Sequence, residues 1–194
     1  APQVKARIEP AVLAGIVGVV VIFTAIYLNN VTAPLLITNS LGGSFADLGI
    51  WAGVAAAVEL PFMVLWGYSL KWVQKHTVIV GAALLYGVYM VLLSRAGSVT
   101  DVLWLQAING PATAALMSIP ISYLQEAIRG RVGLSTSLLD VSFVVSGLAG
   151  AAIFGTVTAA VPDYPTLLVI AGSLAGAGAV IMFVAHRVLR STPG

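Results

Sequence analysis

A chain of 194 residues with 59% apolar and 8% charged side chains, at a mean hydropathy of +1.02, cannot present the polar surface that a soluble domain of this size needs. The composition is that of an integral membrane protein. The net charge of +2 comes from basic residues scattered through short loops and tails, which argues against nucleic acid as a partner, and the absence of cysteine excludes disulfides, a thiolate nucleophile and a cysteine metal site.

Apolar runs of about 20 residues, each enough to cross roughly 30 Å of hydrocarbon, predict an all-α bundle of six transmembrane helices. They are Ala11 to Val31, Phe45 to Leu70, Thr77 to Ser94, Val99 to Tyr123, Val132 to Ala160 and Pro165 to Val188. Residues 1–10 form a polar segment before the bundle, with no cleaved signal peptide visible, 11–190 the bundle and 191–194 a tail. The segments between helices are short enough to be hairpin turns: Leu41-Gly42-Gly43-Ser44, Lys71 to His76, Arg95 to Ser98, Gln125 to Arg131 and Pro162-Asp163-Tyr164. One side of this topology carries Lys5, Arg7, Lys71, Lys75, Arg129, Arg131, Arg187 and Arg190, whereas the other has Arg95 alone. By the positive-inside rule both termini and the second and fourth turns face the cytoplasm. Trp51, Trp66 and Trp104 fall toward helix ends and read as an interfacial belt against membrane lipid, with Trp72 in a cytoplasmic turn.

Six helices suit a self-contained channel or scaffold that dimerises, an intramembrane protease, or one half of a major facilitator transporter, whose halves each hold two inverted three-helix repeats. The turn from Gly67 to His76 keeps the glycine and a basic residue, Lys75, of the major facilitator Gly-x-x-x-Asp-x-x-Gly-x-Arg/Lys pattern, with Lys71 and Gln74 at the acid and second glycine. Ala57-Val58-Glu59-Leu60-Pro61 with Gly67-Tyr68, and then the run from Tyr123 through Leu124-Gln125-Glu126-Ala127-Ile128-Arg129-Gly130-Arg131-Val132-Gly133 to Leu138, extend the match. Together they resemble the C-terminal half of the bacterial sugar efflux transporter family, with its Glu-Ile-Pro in the eighth helix and its Leu-Gln-Asp-x-x-Pro-Gly-Arg-x-Gly junction between the tenth and eleventh. The topology matches along nearly the whole chain and the motifs over about a sixth of it; Glu126 stands for the aspartate and Arg129 for the proline. The resemblance implies proton-coupled export of a sugar or similar small molecule across the bacterial inner membrane. It also implies an N-terminal six-helix half as partner, no cofactor and no enzymatic activity.

Individual residues carry this further. Glu59 is a lone carboxylate in the second span, where a charge costs roughly 2.5 to 3.5 kcal/mol. Burial penalises the charged form of a carboxyl, which lets such a group exchange a proton near neutral pH. Pro61 removes a backbone donor and leaves an acceptor free near Glu59, with a kink expected around Ala57. Phe62 and Trp66 follow Glu59 on the same helical face and suit the apolar side of a sugar ring. In the fourth span Gln106, Asn109, Gly110, Thr113 and Met117 form a partly polar stripe that reads either as hydroxyl-binding amides or as interhelical hydrogen bonding, in a helix made bendable by Pro111 and Pro120. Tyr27 and Asn30 precede Pro34 and form a weaker candidate pair; Asn29 is expected to face the outer headgroups.

Asp140 is a second membrane carboxylate and a candidate in the proton path. Gly67, Lys75, Glu126, Arg129 and Arg131 are candidate gating residues at the cytoplasmic end. Asp47, Asp101 and Asp163 read as helix-start or turn residues, and the glycines of the last two helices, Gly172 and Gly176 among them, read as packing contacts. An aquaporin needs two Asn-Pro-Ala half-helices, whereas Asn109-Gly110-Pro111-Ala112 occurs once and is interrupted. His76 and His186 lie at helix ends, without the facing serine of a rhomboid protease or the company of other metal ligands. A multidrug/proton antiporter half stays open beside the sugar reading.

Overall fold

The computed structural model describes residues 10–128, 132–161 and 163–191, which are helical apart from short turns. Helix α1 (Pro10–Leu35) outruns its predicted end at Val31 and continues into a π-helical turn, Leu36–Ser40. Pro34 cannot donate to the ladder, and the wider turn re-forms it: Leu41 N–H reaches the Leu36 carbonyl at 3.0 Å and Thr38 Oγ1 donates to that of Pro34 at 3.0 Å. Gly42, at φ +68°, then reverses the chain in a conformation open to glycine.

Helix α2 (Phe45–Ser69) starts from a reciprocal capping box between Ser44 and Asp47 and runs on through Pro61. Helix α3 (Lys75–Leu93) and the one-turn-and-a-half α4 (Val99–Trp104) follow, α4 capped by Ser98. The predicted fourth span, Val99 to Tyr123, is corrected here: the chain divides it at Leu105 into α4 and α5 (Gln106–Ala127). At the break, Gln106 Nε2 donates to the Val102 carbonyl at 2.9 Å, a side-chain bond that competes with the backbone ladder. Helix α6 (Val132–Ala160) has the predicted bounds, and α7 (Tyr164–Ser191) begins where Asp163 Oδ2 accepts from Thr166 N and Oγ1. Among the described residues five helices are long and apolar enough to cross a membrane; α5 is not one of them, its apolar content diluted by Gln106, Asn109, Thr113, Ser118 and Ser122.

The main packing pairs are α1 with α7, α3 with α7, α3 with α5, α2 with α5 and α1 with α6. This set is unchanged when α1, α2 and α3 are exchanged for α5, α6 and α7. Glycines permit the closest crossings. A Cβ on Gly87 of α3 or on Gly172 of α7 would lie 3.1 Å from the other's carbonyl oxygen, so the first glycine of the G-x-x-x-G is used within the chain. Gly18 and Gly178 do the same between α1 and α7, with carbonyl approaches of 3.3 and 3.0 Å. Ile22, Leu28, Ile79, Met90, Leu116 and Leu167 fill the interior.

The flanking helices differ. Helix α2 has no buried residue and presents Ile50, Leu60, Val64 and Leu65 outward; α6 presents Val141, Val144 and Leu148. On its inner side α6 is held to α1 by stacked Phe23 and Phe143 rings, 4.3 Å between centroids, and by Ser146 Oγ donating to the Val20 carbonyl at 2.9 Å.

Candidate functional site

Glu59 lies in α2 where that helix packs against α5, and a glycine permits the approach. A Cβ on Gly110 would meet Val58 Cγ1 at 2.5 Å and the Glu59 backbone nitrogen at 3.2 Å. Further along α2, Trp66 Nε1 donates to the Pro111 carbonyl at 2.8 Å, pinning the two helices together. The partly buried Glu59 side chain has no hydrogen-bond or ion-pair partner among the described residues.

Around it is a pocket of about 320 Å³ lined by Ile26, Asn29 and Asn30 of α1, Trp51, Ala52, Ala55, Ala56 and Glu59 of α2, Tyr86 of α3, and Asn109, Thr113 and Met117 of α5. That volume is at the lower end of the roughly 300 to 1,000 Å³ of small-molecule pockets. The α5 stripe enters it as a ladder: Asn109 Nδ2 donates to Gln106 Oε1 at 2.8 Å, and Thr113 Oγ1 donates to Asn109 Oδ1 at 2.9 Å. Each amide group of Gln106 is thereby engaged, whereas Asn109 keeps a second N–H and a second lone pair for a ligand.

The predicted site residues divide accordingly. Glu59, Asn30 and Asn109 meet at the pocket, with Thr113 and Met117 of the same stripe. Gln106 is fully buried behind it and orients Asn109. Tyr27 lies elsewhere, packed against Gly147 and Gly150 of α6. Phe62 is partly buried outside the pocket lining, and Trp66 is occupied by its bond to α5. Asp140 is exposed on α6.

Two residues expected at the membrane surface are corrected. Asn29 is 3% exposed and lines the pocket, because α1 continues past Val31 and carries it inward of the helix end. Trp51 also lines the pocket with its indole nitrogen buried. Tyr86 was not legible as a site residue at all: a tyrosine in an apolar helix gives no signal until the fold brings α3 behind Glu59.

A second cavity, of about 400 Å³, lies under the α2–α3 turn between Lys71, Trp72, Lys75, His76, Tyr123, Glu126 and His186. Here Lys75 Nζ pairs with Glu126 Oε1 at 2.6 Å and donates to the Ser122 carbonyl at 3.3 Å, and the rings of His76 and His186 stack at 3.3 Å. Of the candidate gating residues, Lys75 and Glu126 thus meet within the chain, Gly67 faces open space, and Arg129 and Arg131 lie outside the described residues. No group of three or more His, Cys, Asp or Glu that could hold a metal ion occurs among the described residues.

Sugar efflux transporter B of Salmonella typhimurium is 32% identical over 133 residues, 66% of this chain and 33% of its own length. Sugar efflux transporter A of Dickeya chrysanthemi is 30% identical over 166 residues, 81% of this chain and 39% of its own. The chain is a homologue of sugar efflux transporters. A relative from Deinococcus radiodurans is 24% identical over 163 residues, 84% of this chain and 42% of its own. No protein-family model matches the chain. The chain therefore spans between a third and about two fifths of the length of the curated relatives it matches. These relatives are transporters, not enzymes, and with the apolar helices they make this a multi-pass membrane protein.

Proposed function

We propose that this chain is the C-terminal six-helix half of a proton-coupled secondary transporter of the bacterial inner membrane, which exports sugars or sugar-like molecules by alternating access. The observation that carries the reading is the meeting of a lone, unpaired Glu59 with Asn30 and Asn109 at one pocket. With α4 and α5 counted as one span, the exchange symmetry of the helix pairs supports two three-helix repeats. The outward apolar faces of α2 and α6 support a partner seated on them, which in this reading is the N-terminal half of the same transporter. The distribution of basic residues supports cytoplasmic termini.

In the proposed cycle the Glu59 carboxylate and Asn109 accept hydrogen bonds from the solute's hydroxyls when the pocket faces the cytoplasm. Facing outward, the carboxylate takes a proton, loses an acceptor and its charge, and the solute leaves. The proton travels inward as the pocket turns and is released, so proton and solute occupy the site in alternation. Gly67, Lys75, Glu126, Arg129 and Arg131 act at the inner gate, and Asp140 is a second proton carrier. Tyr27, Phe62, Trp66 and Gln106 support the binding residues from outside the pocket lining.

The test is proton-gradient-driven accumulation of a labelled sugar in inverted vesicles carrying the complete transporter, native against Glu59→Gln. Native vesicles should accumulate the sugar and the variant should only exchange it; equal driven accumulation by both would remove Glu59 from coupling. Trp51 and Met117 beside a single carboxylate favour a second reading, export of lipophilic cations. A cationic dye that is transported where a thiogalactoside is not would establish it.

A further inference from the structure

Behind Glu59 the pocket wall holds buried polar atoms without a well-formed hydrogen bond among the described residues. Tyr86 and Tyr89 of α3 are fully buried, their rings 5.7 Å apart and tilted by 48°. Asn29 of α1 lies beside both hydroxyls, and Gln106 lies beside that of Tyr89. Even so, Asn29 Oδ1, Tyr86 Oη and Tyr89 Oη have no hydrogen bond of good geometry among the described residues, and neither has Trp51 Nε1 on the α2 side of the same pocket. Each buried polar atom left unmatched costs about 1 to 3 kcal/mol, and the neighbouring α5 ladder shows that this fold can give buried amides well-formed bonds.

The chemistry of the unmatched set selects its ligand. Indole N–H can only donate, an amide oxygen can only accept, and a phenol does both. An ammonium group would leave the indole unmatched, and a carboxylate would leave the amide oxygen unmatched. A neutral hydroxyl both donates and accepts.

We propose that Asn29, Tyr86 and Trp51, backed by Tyr89, form a hydroxyl-binding subsite at the floor of the Glu59 pocket, which reads the position of one hydroxyl on the transported solute. This rests on the reading of the pocket as a solute site. Ordered water offers the same chemistry, and the experiment separates the two sources.

Equilibrium binding of labelled methyl galactoside and methyl glucoside, and of their monodeoxy analogues, is measured on the complete transporter in nanodiscs, native and Tyr86→Phe. The native protein should lose about tenfold or more in affinity for one deoxy analogue. Tyr86→Phe should bind the parent sugar about as weakly as that and discriminate against the same analogue no longer. If Tyr86→Phe leaves the parent affinity and the deoxy profile as in the native protein, the wall holds water or only packs. The subsite then falls while the sugar reading stands. If the native protein binds neither glycoside, the sugar reading fails and the subsite with it. Trp51→Phe, a change on the less buried side of the pocket, gives the same comparison should Tyr86→Phe not reach the membrane; an unchanged deoxy profile there overturns the proposal equally.

Discussion

In the cavity under the α2–α3 turn, Lys75 has Glu126 at 2.6 Å and the Ser122 carbonyl as well, His76 stacks on His186, and Tyr123 Oη lies buried against Gly15 without a hydrogen bond among the described residues. In the pocket at Glu59 the carboxylate has no partner among the described residues, and the Asn29 oxygen, the Trp51 nitrogen and the Tyr86 hydroxyl have no hydrogen bond of good geometry there, although Asn29 lies beside Tyr86. The two volumes are similar, about 400 and 320 Å³, so size does not separate them. Unmatched hydrogen-bonding capacity at Glu59 and Trp51 does, because a donor or acceptor whose capacity is already filled by its own protein must give up a bond before it binds anything else.

Breaking the geometry that presents Glu59 should have the largest effect. Gly110→Ala places a methyl 2.5 Å from Val58 Cγ1 and must push α2 off α5. Displacing a binding group by an ångström can cost up to about 100-fold, and sugar transport should fall at least tenfold with the protein still in the membrane. Adding Val58→Gly, which removes Cγ1 together with the Cβ that lies 2.8 Å from the same point, should recover part of it; no recovery would mean that the approach of the two helices is not what matters. Trp66→Phe should do less. It removes one hydrogen bond, to the Pro111 carbonyl, worth about 1 kcal/mol. Thermal unfolding in detergent should show that loss, with a few-fold change in transport. Lys75→Ala should do least, because the Glu126 side chain is 68% exposed and such pairs contribute no more than about 1 kcal/mol. Transport rate can respond at a gate, but the number of protons moved per solute should not. A change in that ratio would put the second cavity on the coupling path and erase the contrast.

The contrast also explains what the sequence made legible. Glu59 and Asn109 stand out because a polar side chain in an apolar run is costly wherever the helix sits. Bounds of α2 and α6 follow from the length of their apolar runs. Asn29 was misplaced for a local reason: Pro34 suggests an early end to α1, and the π-helical turn that absorbs the proline leaves no mark in composition. The break at Leu105 was hidden likewise, since it depends on a Gln106 side chain choosing the Val102 carbonyl. Trp51 and Tyr86 carry both apolar and polar character, so their role is decided by the neighbours that α3 and α5 bring, and these are distant in sequence.

The measurement that reaches the central claim most directly is the affinity of the complete transporter for a sugar as a function of pH, native against Glu59→Gln. If proton and solute alternate at Glu59, native affinity falls as the pH is lowered through the titration of that carboxyl, while the variant, which resembles the protonated form, binds weakly at every pH. A native affinity independent of pH, or the same pH profile in both proteins, would contradict the account.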